Sequence, residues 1–343
     1  MNLLTLKNKK IYALGIILFV GLIAISLFEM NMPEGDKSPS GSSVNRRSIM
    51  FIDNDRSVLD YKYRFQSKKH RKYYEYILPE KNYSFIDNIY FISEDEFPQG
   101  LCITDEYVFI STYSESKERL GELKIFDRLS GMYLISLGVD ENSHLGGVAY
   151  DGEYIWLCNS YKRTLERISY EFIQQMILDN LGAQIDIRNQ VEVYKIQNRP
   201  SSVSFYKGYL MVASHSISGP GNMIGYSYNQ EKDTLDAVLS FQIPQKVQGI
   251  TFTDQGEIIV SASYGRRSSS YIKIYSSLLT MNRDVNNYKE CIELPPCSEG
   301  VFYWDDHIYI IFESAAKKYY EGIDGKGESL SPIDKILLIK KTK

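Results

Sequence analysis

One unit recurs five times between residues 98 and 311, and no other feature constrains the fold as tightly. It opens on a quartet: Pro98-Gln99-Gly100-Leu101, Leu145-Gly146-Gly147-Val148, Pro200-Ser201-Ser202-Val203, Val247-Gln248-Gly249-Ile250 and Ser298-Glu299-Gly300-Val301. Each quartet leads through a tight turn to an apolar run, at residues 107–111, 154–158, 209–213, 257–261 and 307–311. The third residues of the quartets, at 100, 147, 202, 249 and 300, lie 47, 55, 47 and 51 positions apart. That period belongs to propeller blades. Asp and Gly between the runs, as in Asp151-Gly152 and Gln255-Gly256, are what tight hairpins require.

A third strand follows in each unit, at residues 121–127, 165–169, 223–227, 271–275 and 334–339, and outer strands are read at 191–196, 239–243 and 290–294. Four antiparallel strands make a blade. The fifth unit runs out after its third strand, and residues 88–92, ahead of the first quartet, are expected to supply the fourth and close the ring. The fold class is therefore all-β, a five-bladed β-propeller; the alternative is six blades, with an extra one built from residues 50–97. Residues 170–177 space their apolar side chains at helical intervals and are read as an insert. The 28 Tyr agree with pleated, half-buried strands.

Ahead of this body, Lys7, Lys9 and Lys10 precede an uncharged run over residues 11–28, after which Glu29, Glu34 and Asp36 appear. As a helix its 18 positions span roughly 27 Å, enough for a thin bilayer core. The charges place residues 1–10 in the cytoplasm and the body outside. The run reads as a transmembrane anchor. A signal peptide cleaved near Ala24-Ile25-Ser26 is the alternative and would leave the body secreted. Residues 29–80 form a linker and basic neck, in which residues 61–73 carry six Lys or Arg and no acid. Residues 81–343 are the propeller.

Residues 1–80 hold 13 Lys or Arg against 8 Asp or Glu, a net of +5, so residues 81–343 carry −9 within the total of −4. An acidic body is not the footprint of a nucleic-acid binder. Four cysteines in an exported chain of this length are too few for a disulfide framework. Cys102 and Cys158 lie in apolar runs and read as buried; Cys291 and Cys297 flank Pro295-Pro296, and their pairing is left open. Nothing has the spacing of a zinc site.

Units of the form of Val247-Gln248-Gly249-Ile250 followed by residues 257–261 resemble those of NHL/YWTD-type and quinoprotein-like repeat propellers, over roughly residues 85–340. The whole is similar to exported bacterial propeller proteins with an N-terminal anchor. This resemblance implies the fold and a ligand at one end of the central channel. It implies no particular activity, because propellers serve as hydrolases, lyases, lectins and docking scaffolds alike.

Two columns of polar residues in the repeat face that channel mouth. Ahead of the quartet glycines stand Gln99, Gly146, Ser201, Gln248 and Glu299, with His144 nearby; after the second strands come Tyr113, Ser160, His215, Ser263 and Glu313. Such residues need hydrogen-bond partners, the simplest being one another and channel water. The functional alternative is an axial ligand or cation. Glu299 and Glu313 are the two carboxylates of the columns, and oxygen ligands suit Ca²⁺ better than a transition metal. Five-bladed calcium-dependent nucleotidases bind an axial cation in this way, with several acids where this chain has two. His215 with Glu313 or Glu299 would be the catalytic candidates if they met across the channel.

Two long loops are basic: residues 264–270, with Arg266 and Arg267 beside Tyr264, and residues 314–327. Paired arginines beside Tyr and Ser suit an anionic glycan or phosphate. The ligand-binding candidates are Gln99, Gln248, Glu299, Tyr264, Arg266 and Arg267, with Tyr113, Tyr161, Tyr319 and Tyr320 on the exit loops. No GxSxG, HExxH or P-loop is present. The expectation is a membrane-anchored, extracytoplasmic binding module for a protein, a glycan or another anionic ligand; a hydrolase or lyase at the channel mouth is the alternative.

Overall fold

The computed structural model describes residues 83–86 and 96–341, except 117–118, 142–143, 330–331 and 334. The chain divides into two units, Met1–Arg46 and Arg47–Lys343. The expected anchor at residues 11–28, the neck at 61–73 and the segment 88–92 lie outside the described residues. Among the described residues no helix is long and apolar enough to cross a membrane.

After β1 (Tyr83–Ile86), blade one is built from β2 (Glu96–Ile103), β3 (Tyr107–Ser114), β4 (Gly121–Asp127) and β5 (Tyr133–Asp140). Blade two holds β6 (Val148–Tyr150), β7 (Tyr154–Asn159) and β8 (Thr164–Ser169) and, after α1 (Tyr170–Asp179) and β9 (Gln184–Asp186), β10 (Glu192–Lys195). Blade three comprises β11 (Ser202–Tyr206), β12 (Tyr209–Ala213), β13 (Gly221–Asn229) and β14 (Thr234–Ile243). Blade four comprises β15 (Val247–Phe252), β16 (Ile258–Ala262), β17 (Ser270–Tyr275) and, after α2 (Leu278–Arg283), β18 (Glu290–Leu294). Blade five has β19 (Ser298–Trp304), β20 (His307–Phe312), the short α3 (Lys317–Tyr320) and β21 (Ile336–Lys340).

Blade five is completed from the other end of the body. The strand that does so is Tyr83–Ile86, antiparallel to β21 with Tyr83 opposite Ile339 and Ile86 opposite Ile336, and not residues 88–92 as expected. Both segments are short and rich in aromatic and branched residues, so strand propensity does not separate them. With Tyr83–Ile86 committed to blade five, the described residues form five blades and no sixth.

The quartets form the wall of the channel. A Cβ added to Gly100 would stand 2.8 Å from the backbone of Gly147, one on Gly147 2.6 Å from Val203 N, one on Gly249 2.7 Å from Val301 N, and one on Gly300 2.7 Å from Gln99 O. Backbone thus meets backbone from blade to blade around the axis, and the last contact closes the circle. Blade three has Ser202 instead of glycine, and its hydroxyl accepts the Ile250 N–H of blade four at 3.1 Å.

Between blades the packing is apolar on both strand faces. In β20, Ile308, Ile310 and Phe312 pack with Ile272, Ile292 and Leu294 of blade four. The alternate residues Tyr309 and Ile311 pack with Leu101, Val108 and Phe126 of blade one. A strand buried on both faces reads as a continuous hydrophobic run, which explains the second strands of the repeat.

The helical insert forms as the spacing predicts. Ser169 caps α1 by accepting the Phe172 N–H at 3.3 Å, and Ile173 and Ile177 are its buried stripe. The chain then adds β9 parallel to β5, with Leu137 opposite Ile185, a fifth strand in blade one that the repeat does not announce. All four cysteines are free: Cys102, Cys158 and Cys297 are buried, and Cys291 forms no disulfide with Cys297.

Candidate functional site

The register of the first strands aims the site residues. In β2, β15 and β19 the ladder slips at the quartet, between Pro98 and Leu101, Val247 and Gly249, and Ser298 and Val301. A bulge turns a side chain out of strict alternation. Gln99, Gln248 and Glu299 occupy those slips and line a cavity of about 590 Å³ at the channel mouth. Eight of the ten residues in the two columns line it: Gln99, Tyr113, Ser160, Ser201, His215, Gln248, Glu299 and Glu313. Gly146 does not line this cavity, and Ser263 lines an adjoining one.

Two carboxyls lie side by side at its floor. Glu299, 3% exposed, and Glu313 are hydrogen-bonded to each other. Gln248 donates its side-chain N–H to Glu299 Oε1 at 3.0 Å, and Gln99 donates to Glu313 Oε2 at 3.0 Å. Tyr319, from α3, also hydrogen-bonds Glu313. Burial, then repulsion from Glu313, holds Glu299 well above the usual carboxyl range. Burial raises Glu313 to about 7 against the Gln99, Tyr319 and Glu299 hydrogen bonds, which favour its charged form. Two buried carboxyls in contact cannot both ionise near neutral pH; they share a proton and one negative charge.

Aromatic rings make the walls. Tyr113 lies between Phe97, stacked at 4.7 Å, and His144, at 4.5 Å. Burial first, then the nearby charges of Arg199 and His215, lowers His144 to about 4, so its ring is neutral at pH 7. Tyr113 and Tyr319 are pushed above the ordinary tyrosine range, chiefly by burial, and keep their hydroxyl protons. Tyr161, 62% exposed, and Tyr264, 48% exposed, present ring faces at the mouth.

The catalytic candidates share this cavity but are not wired as a proton-transfer pair. His215 Nδ1 lies 3.1 Å from the Val247 carbonyl oxygen, and its ring stacks on Tyr264 rather than meeting either glutamate. Among the described residues, no group of three or more His, Cys, Asp or Glu is placed to hold a metal ion.

The two arginines of the 264–270 loop also come to the channel mouth, in the adjoining cavity. Arg266 is engaged within the protein. It forms a two-pronged pair with Asp324 at 2.7 and 2.5 Å, donates to the Gly327 carbonyl at 2.9 Å and covers the Tyr319 ring at 4.4 Å. It ties the two basic loops together and so shapes the wall. The columns do not reveal Arg199, which lines the first cavity; its signal is its place immediately before the third quartet. Tyr320 lines neither cavity.

The fold and site define a class, a five-bladed β-propeller with an open-mouthed cavity, lined by polar and aromatic side chains, at one end of its channel. No protein-family model and no curated protein matches the sequence. Among solved structures the chain is similar to glutaminyl cyclase of Myxococcus xanthus, at 13% identity over 73% of this chain and 92% of that one, with a TM-score of 0.45. It is also similar to hydrazine synthase of Kuenenia stuttgartiensis, at 10% identity over 62% of this chain, with a TM-score of 0.37; it spans 55% of that chain. A chain of a nidogen/laminin complex is 13% identical over 63% of this chain and 72% of its own length, with a TM-score of 0.38. None of these likenesses bears on activity.

Proposed function

We propose that the protein is a binding module held outside the membrane by residues 11–28, and that it takes a hydroxyl-rich ligand of the glycan type in the axial cavity. One observation carries the reading: polar residues from five separate repeats converge on a single cavity, where unselected loop residues would scatter over the surface. Its size is that of small-molecule sites, roughly 300–1,000 Å³. Paired carboxyls with a shared proton, flanked by two amides, both donate to and accept from hydroxyls. Exposed tyrosine faces suit the apolar faces of sugar rings. Binding is favoured over hydrolysis or elimination because each glutamate is hydrogen-bonded by a glutamine amide and His215 makes its bond to a backbone carbonyl. Lysines before residues 11–28 and acids after them support the orientation.

The test is a glycan-binding screen on the full chain in detergent micelles, repeated with Tyr161→Ala and Tyr264→Ala. Both rings stand at the cavity mouth, so either change should lower affinity by about tenfold or more without altering thermal unfolding. Saccharide binding that neither variant weakens places the ligand elsewhere. Protease digestion of intact cells should degrade the body while sparing residues 1–10; protection of the body overturns the orientation.

A further inference from the structure

The inner wall of the axial cavity offers more acceptors than donors. Both N–H bonds of the Gln99 amide are spent inside the protein, on the Pro98 carbonyl at 3.0 Å and on Glu313 Oε2 at 3.0 Å. Gln248 gives its amide N–H to Glu299 Oε1 at 3.0 Å. Among the described residues no donor reaches Gln99 Oε1 or Gln248 Oε1. Other donors of the wall are also turned inward. Ser160 donates to the Pro200 carbonyl, Ser201 to the Ala213 carbonyl at 3.0 Å, and His215 Nδ1 to the Val247 carbonyl at 3.1 Å, an oxygen that can only accept. Charge runs the same way. Glu299 and Glu313 hold one negative charge between them at the floor, and neither is in an ion pair among the described residues. The basic side chains of the adjoining cavity are engaged elsewhere: Arg266 pairs with Asp324, Lys318, whose charge reaches Glu313, pairs with Glu115, and Arg267 has a partner of its own. Arg199 is exposed at the mouth, where solvent screens it.

Resting on the glycan reading above, we infer that the ligand is an amino sugar whose ammonium group sits on the Glu299–Glu313 pair. An ammonium group brings three donors and one positive charge, and the floor is short of both. A sugar with hydroxyls alone brings one donor per group and no charge. It would leave the carboxylate unanswered at a place where Glu299 is only 3% exposed, and an unpaired charge so deep is costly. An acetylated amine has a single N–H and no charge, and an acidic sugar would set a second negative charge against the pair. The carbonyl oxygens of Gln99 and Gln248 flank the pair on either side and accept the remaining N–H bonds. The ring hydroxyls are left for Ser160 and Ser201, which act as acceptors once their own hydrogens are spent.

The experiment is calorimetric titration of the full chain in micelles at pH 7 with trimers of glucosamine, N-acetylglucosamine and glucose in the same linkage, which differ only in the group beside the glycosidic carbon. Butylamine is the amine without a sugar. The glucosamine trimer should bind about tenfold or more tighter than either uncharged trimer, the scale of a close charge pair. Glu299→Gln/Glu313→Gln keeps the shape of both side chains, removes their charge and should erase that preference. Thermal unfolding shows whether the double variant is folded, and either single change replaces it where it is not. A preference that survives in a folded variant overturns the placement on the pair. A glucosamine trimer that binds no better than an uncharged one, at a site still weakened by Tyr264→Ala, overturns the amine and leaves the glycan reading standing. Butylamine binding as tightly as the glucosamine trimer overturns the sugar and with it the glycan reading, and binding of none of the four overturns both.

Discussion

Gln99 in blade one donates its side-chain N–H to Glu313 Oε2 in blade five at 3.0 Å, across 214 positions of sequence. The bond spans the seam of the ring and holds one of the two floor carboxyls. Gln99→Leu removes a donor that favours ionised Glu313. The Glu313 titration should move further up from about 7, and the protein should lose about 1–2 kcal/mol, because the remaining partner stays buried. Carbon-detected NMR titration of glutamate carboxyls reads the shift; an unmoved resonance contradicts the assignment.

Stability should depend on pH through the raised carboxyls, among them Glu313 and Glu166. Burial raises both Glu313 and Glu166 from 4.5 to about 7; Glu166 lies beside Asp140, bridged to it by the Asn159 amide at 2.7 Å to each. Between those values the folded chain keeps protons that the unfolded chain has released. Their contribution is therefore complete below pH 4.5 and lost as pH rises to 7, by up to about 3 kcal/mol for each group. His144 has the opposite slope: neutral in the fold down to about 4, it withdraws stability as pH falls from 6.5. Glu313→Gln and Glu166→Gln should each gain on the wild type as pH rises from 5 to 8 in urea unfolding. A difference that stays constant with pH would show that the residue does not hold the proton.

Arg167 is enclosed by aromatic rings, its guanidinium carbon 4.2 Å from the Tyr154 centroid, 4.6 Å from Tyr228, 4.9 Å from Tyr194 and 5.4 Å from Trp156, with Glu192 as its ion partner. Blades two and three meet there. Arg167→Ala should cost about 3 kcal/mol, roughly 6–12 °C in Tm, through lost stacking and packing more than lost charge. Arg167→Lys keeps the charge but not the planar stack, and should recover about half. Calorimetry and the red shift of Trp156 emission check this; equal Tm for wild type and Arg167→Ala is the contrary result.

The glycine ring makes a further prediction. Gly300→Ala puts a methyl 2.7 Å from Gln99 O and 2.8 Å from Leu101 N, backbone atoms that cannot step aside, and should cost at least ~2 kcal/mol. Ser202→Ala leaves the Ile250 N–H without its acceptor and should cost about 1–2 kcal/mol. Chemical unfolding midpoints decide both, and a stable Gly300→Ala would show that the blades are not held at backbone contact there.

Blade number and the composition of the cavity were legible because both are periodic. Each quartet repeats the same inter-blade contact, and residues on either side of a repeated strand fall at the same height on the axis, so Glu299 and Glu313 could be placed at one mouth before their contact was visible. What depends on partners far apart in sequence was not legible. The 266–324 pairing turns an apparent ligand-binding arginine into a brace for the wall. The choice of Tyr83–Ile86 over residues 88–92 rests on a ladder with β21, about 250 positions later. β9 has no counterpart in other repeats and so no periodic signal.

The strand Tyr83–Ile86 finds its place only against Ile336–Lys340. During synthesis, therefore, this strand waits for its partner until residues 336–340 have been made. Glu299 and Glu313 belong to that last blade. A chain interrupted before residue 299 lacks both the seal and the floor of the cavity, and one interrupted between residues 314 and 335 has the two glutamates but an open ring.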